Sequence, residues 1–150
     1  MLFVGFVWNP IYLPQGDFNL VFKYGVGAKN ELNTFRGMFT KDMVSDPSIT
    51  IRLTLSKQEL AQIYQKMVEI GFFNYSDSFP LRQDGSVTPS SDYYLKVENG
   101  SRTKEVRWNS NSQLDTNVDK GLHETADLIT SIIEQKLEYK ILPPPRSAYL

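Results

Sequence analysis

The residues best suited to acid–base or metal chemistry lie in one short segment around His123, the only histidine of the chain. The run His123-Glu124-Thr125-Ala126-Asp127 resembles the H-E-x-x-H helix of zinc proteases, in which two imidazoles four residues apart share one helix face. Asp127 stands where the second histidine belongs, and the chain has no other histidine and no cysteine to complete a zinc site. We therefore interpret His123 as a solvated side chain with Asp127 one helical turn away, and we predict no metal.

A second metal-type motif lies just before this segment. Asp115-Thr116-Asn117-Val118-Asp119 has the D-x-N-x-D opening of a calcium loop. Lys120 replaces the glycine that such a loop needs at its sixth position, and Ala126 replaces the bidentate glutamate that closes it. The preferred interpretation is a helix start with Thr116 or Asn117 as the N-cap residue.

Other catalytic and cofactor patterns are also incomplete. Gly25-Val26-Gly27-Ala28-Lys29 has only a superficial similarity to a phosphate loop, which requires G-x-x-x-x-G-K-[ST] at the start of a helix. No G-x-S-x-G elbow accompanies His123. Carboxylates are scattered along the chain, and sequence does not show whether two of them converge. We predict no cofactor, and a hydrolase that uses a carboxylate pair stays as an alternative.

Composition narrows the class of protein further. The net charge is -1, with 16 basic and 17 acidic residues, so the basic excess typical of nucleic-acid binders is missing. With 150 residues, of which 41% are hydrophobic, the chain can build one core without disulfides. No segment approaches the roughly 18–20 apolar residues of a membrane helix. We therefore predict one globular domain that has no transmembrane segment and does not bind nucleic acid.

Period-two alternation predicts three strands in the first third of the chain, over residues 17–24, 34–43 and 49–55. Asp46-Pro47 predicts a turn between the second and the third. The predicted buried faces carry Phe18, Leu20, Phe22, Tyr24, Phe35, Phe39, Ile49, Ile51, Leu53 and Leu55.

The next segment predicts a helix over residues 57–70. Ser56 and Glu59 have the spacing of a capping box, in which each side chain binds the other residue's backbone N–H. Apolar residues recur at helical spacing up to Ile70, and Gly71 supplies the left-handed residue that ends a helix.

Asn99-Gly100 predicts a tight hairpin between strands 92–98 and 101–108. A two-residue turn at this position sets Tyr93 opposite Val106 and Lys96 opposite Thr103. One face of the hairpin then carries Tyr93, Leu95, Val97, Val106 and Trp108. A second helix is predicted over 118–139, with an apolar stripe of Leu122, Ala126, Ile129, Ile132, Ile133 and Leu137.

The order of elements, βββαββα, predicts an α+β fold with an antiparallel sheet of about five strands and two helices on one face. We assign residues 1–150 to a single domain, with 1–16 as an extended lead-in and 143–150 as a proline-rich tail. The tail could bind a polyproline-recognising domain, but packing on its own domain is preferred because Tyr149 and Leu150 are apolar.

The polar segment 74–91 is the predicted partner-binding region, because loops of this length are uncommon and often functional. Phe79 and Leu81 flank Pro80, and Arg82 and Asp84 would give this apolar spot a charged rim. Alternatively, Phe79 and Leu81 pin the loop to the core. With no intact catalytic motif, the sequence favours a non-catalytic binding or interaction domain with an unknown protein partner.

Two stretches carry a resemblance to a known group of proteins. The run from Phe22 to Phe35, continued by Thr40-Lys41-Asp42-Met43, is similar to small uncharacterised bacterial proteins, and so is the ending Glu138-Tyr139-Lys140 with Leu142-Pro143-Pro144-Pro145. Some members resemble exported lipoproteins, whereas this chain lacks cysteine. The resemblance implies a bacterial protein of the cell envelope, with the cytoplasm as the alternative, and it implies no activity. The apolar start, Met1 to Trp8, is either a short strand or plug, or the end of a signal sequence.

Overall fold

A single antiparallel sheet of six strands forms the centre of the molecule, and helices cover one of its faces. The computed structural model describes residues 10–14 and 16–149. The strand order is β4-β3-β2-β1-β5-β6. The predicted α+β class is confirmed, with six strands in place of about five. Their bounds are β1 (Phe18–Tyr24), β2 (Asn30–Asn33), β3 (Met38–Met43), β4 (Asp46–Arg52), β5 (Asp92–Asn99) and β6 (Arg102–Asn109).

The additional strand lies where the sequence predicted none. β2 is short and polar, with Leu32 as its only buried residue, so it has no alternating apolar pattern to reveal it. The prediction of a strand over 34–43 is wrong for residues 34–37, which form a turn. Gly37 has a φ of 62°, which favours glycine, and the ring of Phe35 is exposed rather than buried.

The turn between β3 and β4 lies two residues earlier than predicted. Asp46 already pairs with Met43, so the turn consists of Val44 and Ser45 rather than Asp46-Pro47. The Asp42 carboxylate accepts a hydrogen bond from the Val44 N–H at 2.9 Å and holds this turn. Pro47 is tolerated because β4 is an edge strand and its pairing with β3 is irregular here.

The β5–β6 hairpin turns at Gly100 and Ser101 instead of Asn99 and Gly100. Tyr93 therefore lies opposite Trp108 and Lys96 opposite Glu105, which corrects the predicted register by two residues. Because side chains alternate with a period of two, a shift of two leaves every side chain on its predicted face. Leu95, Val97, Val106 and Trp108 are buried as expected.

The first helix, α1 (Lys57–Ile70), has the predicted bounds and both predicted ends. Ser56 Oγ accepts from the Glu59 N–H at 3.1 Å, and Glu59 Oε1 accepts from the Ser56 N–H at 2.8 Å, which completes the capping box. Gly71 ends the helix in the left-handed conformation, with a φ of 77°.

The predicted second helix is divided into α2 (Thr116–Glu134) and α3 (Leu137–Lys140). Its N-cap is Asp115, not Thr116 or Asn117, and the Asp115 carboxylate accepts from the Val118 N–H at 3.1 Å. The helical path stops at Lys136, whose backbone is extended. Leu137 is consequently 71% exposed and does not belong to the buried stripe.

The core lies between the sheet and the helices. β1 and the β5–β6 hairpin supply its centre, α1 and α2 supply its cover, and α2 also packs against α1. The fully buried large side chains are Phe22, Phe39, Phe72, Leu20, Leu32, Leu53, Ile63, Met67, Leu95, Leu122, Ile129 and Ile133. No helix within the described ranges is long and apolar enough to cross a membrane.

The C-terminal tail packs against the turn between β3 and β4, which is the preferred alternative from the sequence. Arg146 pairs with the Asp46 carboxylate, Tyr149 Oη donates to Asp42 Oδ2 at 2.6 Å, and Lys41 Nζ donates to the Pro143 carbonyl at 3.0 Å. The expectations for Met1 to Trp8 and for Leu150 lie outside the described residues.

Candidate functional site

Two stacked aromatic rings form a floor at the end of the sheet where β5 begins and β6 ends. Tyr93 and Trp108 are cross-strand partners, with ring centroids 4.9 Å apart and planes inclined by 8°. They lie on the helix-covered face, in line with the buried Leu95 and Val106. Only 9% of Trp108 is exposed, so its ring is a fixed wall rather than a mobile group.

A cleft of about 210 Å³ separates this floor from the first half of α2. We call it the helix cleft. The residues of α2 that line it recur at helical spacing, so one helix face delivers all of them. These are Asp119, Leu122, His123, Ala126 and Asp127. The strand side contributes Tyr93 and Trp108, together with residues of the turn after β6.

His123 and Asp119 form a pair at the mouth of the helix cleft. His123 Nδ1 lies 3.3 Å from Asp119 Oδ1 and 3.3 Å from the Asp119 carbonyl oxygen. The side chain of His123 is 75% exposed, which agrees with a solvated histidine. Its carboxylate neighbour is Asp119, one turn before it, and not Asp127 as expected. Asp127 forms no salt bridge with any described residue.

The geometry gives no support to a metal site in the described part of the chain. There, no group of three or more histidine, aspartate or glutamate side chains converges on one point. The Asp115 carboxylate, which would open a calcium loop, instead caps α2.

The predicted partner-binding loop 74–91 begins at the end of a short 3-10 turn and otherwise has one isolated bridge, between Leu81 and Ser112. Asn111, which is buried, fixes its far half. Asn111 Oδ1 accepts from the Val87 N–H at 3.0 Å and from Arg82 Nη2 at 3.2 Å, while Nδ2 donates to the Val87 carbonyl at 3.0 Å. The loop is therefore held in a defined position although it has no regular structure.

The near half of the loop runs along the outer edge of β6. The Asp77 carbonyl accepts from the Arg107 N–H at 2.8 Å, and the Asp77 carboxylate pairs with Lys104 Nζ at 2.8 Å. Covering an edge strand in this way protects its backbone groups from pairing with other chains.

The structure separates the predicted site residues into two groups. Phe79 packs partly against the core and pins the loop, as the alternative interpretation expected. Leu81 is 61% exposed, and Arg82 and Asp84 are exposed beside it. Val87, which the sequence analysis did not single out, is 67% exposed and extends the apolar spot.

A second groove, of about 340 Å³, lies between the loop and the hairpin. It shares four residues with the helix cleft: Tyr93, Trp108, Asn109 and Ser112. Its other walls include Phe79, Leu81, Asp92 and Arg107. We call it the aromatic groove. The groove and the cleft form one surface, which runs from Leu81 on the loop to His123 on α2.

Sequence reasoning placed Tyr93 and Trp108 in the core and missed their contribution to this surface. A period-two pattern identifies the buried face of a strand, but not whether the end of that face stays open. The turn of short polar residues after Trp108, Asn109-Ser110-Asn111-Ser112, is the signal that could have marked an open end.

Two serines also line the helix cleft, but neither is paired with the histidine. Ser112 Oγ accepts from the Asn109 N–H at 2.8 Å, and Ser110 Oγ accepts from the Ser91 N–H at 3.0 Å. Among the described residues no serine hydroxyl hydrogen-bonds to His123, so the link between nucleophile and base that acyl transfer requires is not formed.

Comparison of the chain with models of protein families and with curated proteins finds no match. Functional conclusions therefore depend on the site itself.

Proposed function

We propose that this chain is a non-catalytic binding domain for a protein partner, which it contacts through the aromatic groove and the exposed apolar residues of the loop. One observation carries the proposal: Leu81 is 61% exposed on a loop whose backbone is fixed by the Asn111 amide, directly beside an aromatic-floored groove. An apolar group held in place before binding loses little entropy when a partner covers it.

The charges around the surface favour a protein partner over a nucleic acid. Three carboxylates line the two cavities: Asp92, Asp119 and Asp127. Arg107 lines the aromatic groove, whereas no lysine or arginine of the described ranges lines the helix cleft. Phosphate groups bind through positive charge, so these carboxylates oppose them.

The test replaces one exposed apolar side chain. Leu81→Asp introduces a charge into the proposed interface, while the backbone bridge to Ser112 remains available. Leu137→Asp is the matched control, because Leu137 is 71% exposed on α3, outside both cavities. We expect Leu81→Asp to lose the proteins that the unmodified domain captures, and Leu137→Asp to retain them, with unchanged melting temperatures for both.

A Leu81→Asp variant that captures the same proteins in the same amounts would contradict the proposal. Equal losses in both variants would contradict it too, because a general effect of added charge would then explain the result.

A hydrolase remains the second candidate because the helix cleft holds His123 together with two carboxylates. A panel of ester, phosphate and glycoside substrates tests it. Turnover that His123→Ala or Asp127→Asn abolishes would support catalysis at this site, whereas turnover unchanged by both variants would exclude the helix cleft as its source.

We also propose that the chain belongs to a bacterial cell envelope. Support comes from the apolar start, Met1 to Trp8, and from the resemblance of residues 22–35 and 138–145 to bacterial proteins. Expression in a bacterium from the native gene, followed by cell fractionation, tests this location. Recovery in the cytoplasmic fraction alone would contradict it.

A further inference from the structure

We propose that the helix cleft receives a lysine or arginine side chain of the partner protein, an inference that rests on the proposed function. The helix cleft and the aromatic groove would then bind neighbouring parts of one segment. A basic side chain occupies the cleft, and an apolar side chain lies against Leu81.

The size of the helix cleft suits one side chain. Its volume is about 210 Å³. Pockets for small-molecule ligands are usually larger, roughly 300–1,000 Å³. The cleft continues into the aromatic groove, of about 340 Å³, through the shared walls of Trp108 and Ser112. A side chain in the cleft can therefore be attached to a backbone that leaves along the groove.

The lining of the helix cleft suits both parts of a long basic side chain, the methylene stem and the charged head group. Leu122, Ala126 and Trp108 offer apolar surface for the methylene stem. Asp119 and Asp127 offer negative charge for the head group. Asp119 Oδ1 also lies 3.3 Å from His123 Nδ1, whereas Asp127 has no salt bridge to any described residue. Lys120 does not neutralise this charge, since it pairs with Glu124, which does not line the cleft.

The aromatic groove indicates that the basic group belongs to a protein segment rather than to a free small cation. Leu81 and Val87 expose apolar surface that a small cation alone would leave uncovered. A segment with a basic residue near an apolar one satisfies both features. Interaction sites in general combine an apolar centre with a polar rim in this way.

The experiment uses the fluorescence of Trp108 in the full chain carrying Trp8→Phe, which leaves Trp108 as the only tryptophan. The probes are acetylated and amidated pentapeptides of the sequence leucine-alanine-X-alanine-alanine, in which X is arginine, lysine, methionine or glutamate. N-methylguanidinium and butylammonium chlorides serve as free small cations. Backbone amide NMR shifts in α2 and in the turn after β6 locate the binding.

The decisive variant is the double substitution Asp119→Asn with Asp127→Asn, which removes the charge and nearly preserves the shape. The matched control is Glu134→Gln with Glu138→Gln, which removes two exposed carboxylates that line neither cavity. Circular dichroism confirms that each variant is folded.

We expect the arginine and lysine peptides to saturate a fluorescence change, and to bind about tenfold more weakly to the asparagine variant while binding normally to the control. Added salt should also weaken the binding of these two peptides. If the methionine peptide binds as tightly as the basic peptides, the proposal that the helix cleft receives a basic side chain is wrong, while the proposed interface is unaffected. Binding of no peptide, or tighter binding of the free cations, would overturn the inference, while the Leu81→Asp capture test decides the proposed function independently.

Discussion

At the scale of single residues, Gly121 determines how closely α2 can approach the chain that follows α1. A Cβ atom added at this position would lie 2.2 Å from Tyr75 Oη and 3.1 Å from Ile70 Cβ. The Tyr75 hydroxyl is buried there and has no hydrogen-bond partner among the described residues. The site therefore has no room for a methyl group, although it lies inside a helix.

Gly121→Ala should destabilise the domain by about 1–3 kcal/mol through overpacking, even though alanine is favoured over glycine in helices by about 1 kcal/mol. Urea unfolding measures the difference. Tyr75→Phe in the Gly121→Ala background should recover part of the loss, because it removes the oxygen that the new methyl group contacts. A Gly121→Ala protein more stable than the unmodified chain would contradict this account of the contact.

Asn111 is the second residue whose side chain holds a distant segment in place, since its amide bonds both Arg82 and Val87 of the loop. Asn111→Ala leaves the Val87 N–H and carbonyl without their side-chain partners and should cost about 1–3 kcal/mol. Amide hydrogen exchange at Val87 should accelerate far more than exchange in α1. Gln113→Ala is the control, because Gln113 is exposed and only its backbone N–H contacts the loop, at Pro80. Unchanged exchange at Val87 in Asn111→Ala would show that the loop is held by other contacts.

At the scale of elements, an ion pair joins the start of α1 to the break between α2 and α3. Lys136 Nζ donates to Glu59 Oε1 at 2.6 Å. Partial burial by itself would raise the pKa of Glu59, but the hydrogen bonds from Lys136 and Ser56 outweigh burial and leave this pKa below its usual value of 4.5. A carboxyl group with a depressed pKa in the folded state stabilises the fold above the unfolded pKa and loses that effect as the pH falls.

Glu59→Gln should therefore destabilise the domain by up to about 1 kcal/mol near neutral pH, because a glutamine can still complete the capping box but not the ion pair. The difference from the unmodified chain should shrink as the pH falls below about 4.5, when the carboxylate becomes protonated. Denaturant unfolding across this pH range measures it, with the exposed Glu138→Gln as control. A difference that stays constant with pH would rule out the charge as its origin.

The elements that sequence alone predicted well are those whose signals are local. The capping box of α1 is contained within four residues, and it was predicted with its bounds. The hairpin turn offered two solutions, because Gly100 can take a positive φ in either. Contacts with distant residues decide between them: Asn99 pairs with Phe18 and donates to Tyr64 Oη, so β5 extends through Asn99.

The difference between local signals and contacts of distant residues also explains which parts of the candidate site the sequence could predict. The polar surroundings of Leu81 left two alternatives open, exposure or packing on the core, and the structure shows it exposed. The open end beside Trp108 depends on where α2 lies, which no local pattern records. Likewise the break between α2 and α3 coincides with contacts to distant residues, of Lys136 with Glu59 and of Tyr139 with the ring of Phe39.

At the scale of the whole molecule, the tail joins the end of the chain to the β3–β4 turn. Removal of residues 143–150 eliminates the contacts of Arg146, Tyr149 and Pro143 with the Asp46, Asp42 and Lys41 side chains. Each such exposed contact is worth at most about 1 kcal/mol, so we expect a folded protein whose unfolding free energy falls by about 1–2 kcal/mol. The melting temperature should fall by roughly 2–8 °C. An unchanged melting temperature would mean that the tail contacts contribute nothing to stability.

The position of β1 between β2 and β5 has a consequence for the synthesis of the protein. β2 follows β1 almost at once, but β5 leaves the ribosome only after β3, β4, α1 and the long loop. Until then the nascent chain presents one unpaired edge of β1, and Leu20 and Phe22 lack the cover that the second half supplies. Such an edge is a template for pairing with other chains. Chains halted before Asp92 should therefore recruit chaperones or aggregate through this edge. Chains halted just after Asn109 can pair the edge with β5 but still lack the cover of α2, so the vulnerable period of synthesis should end only when α2 has been added.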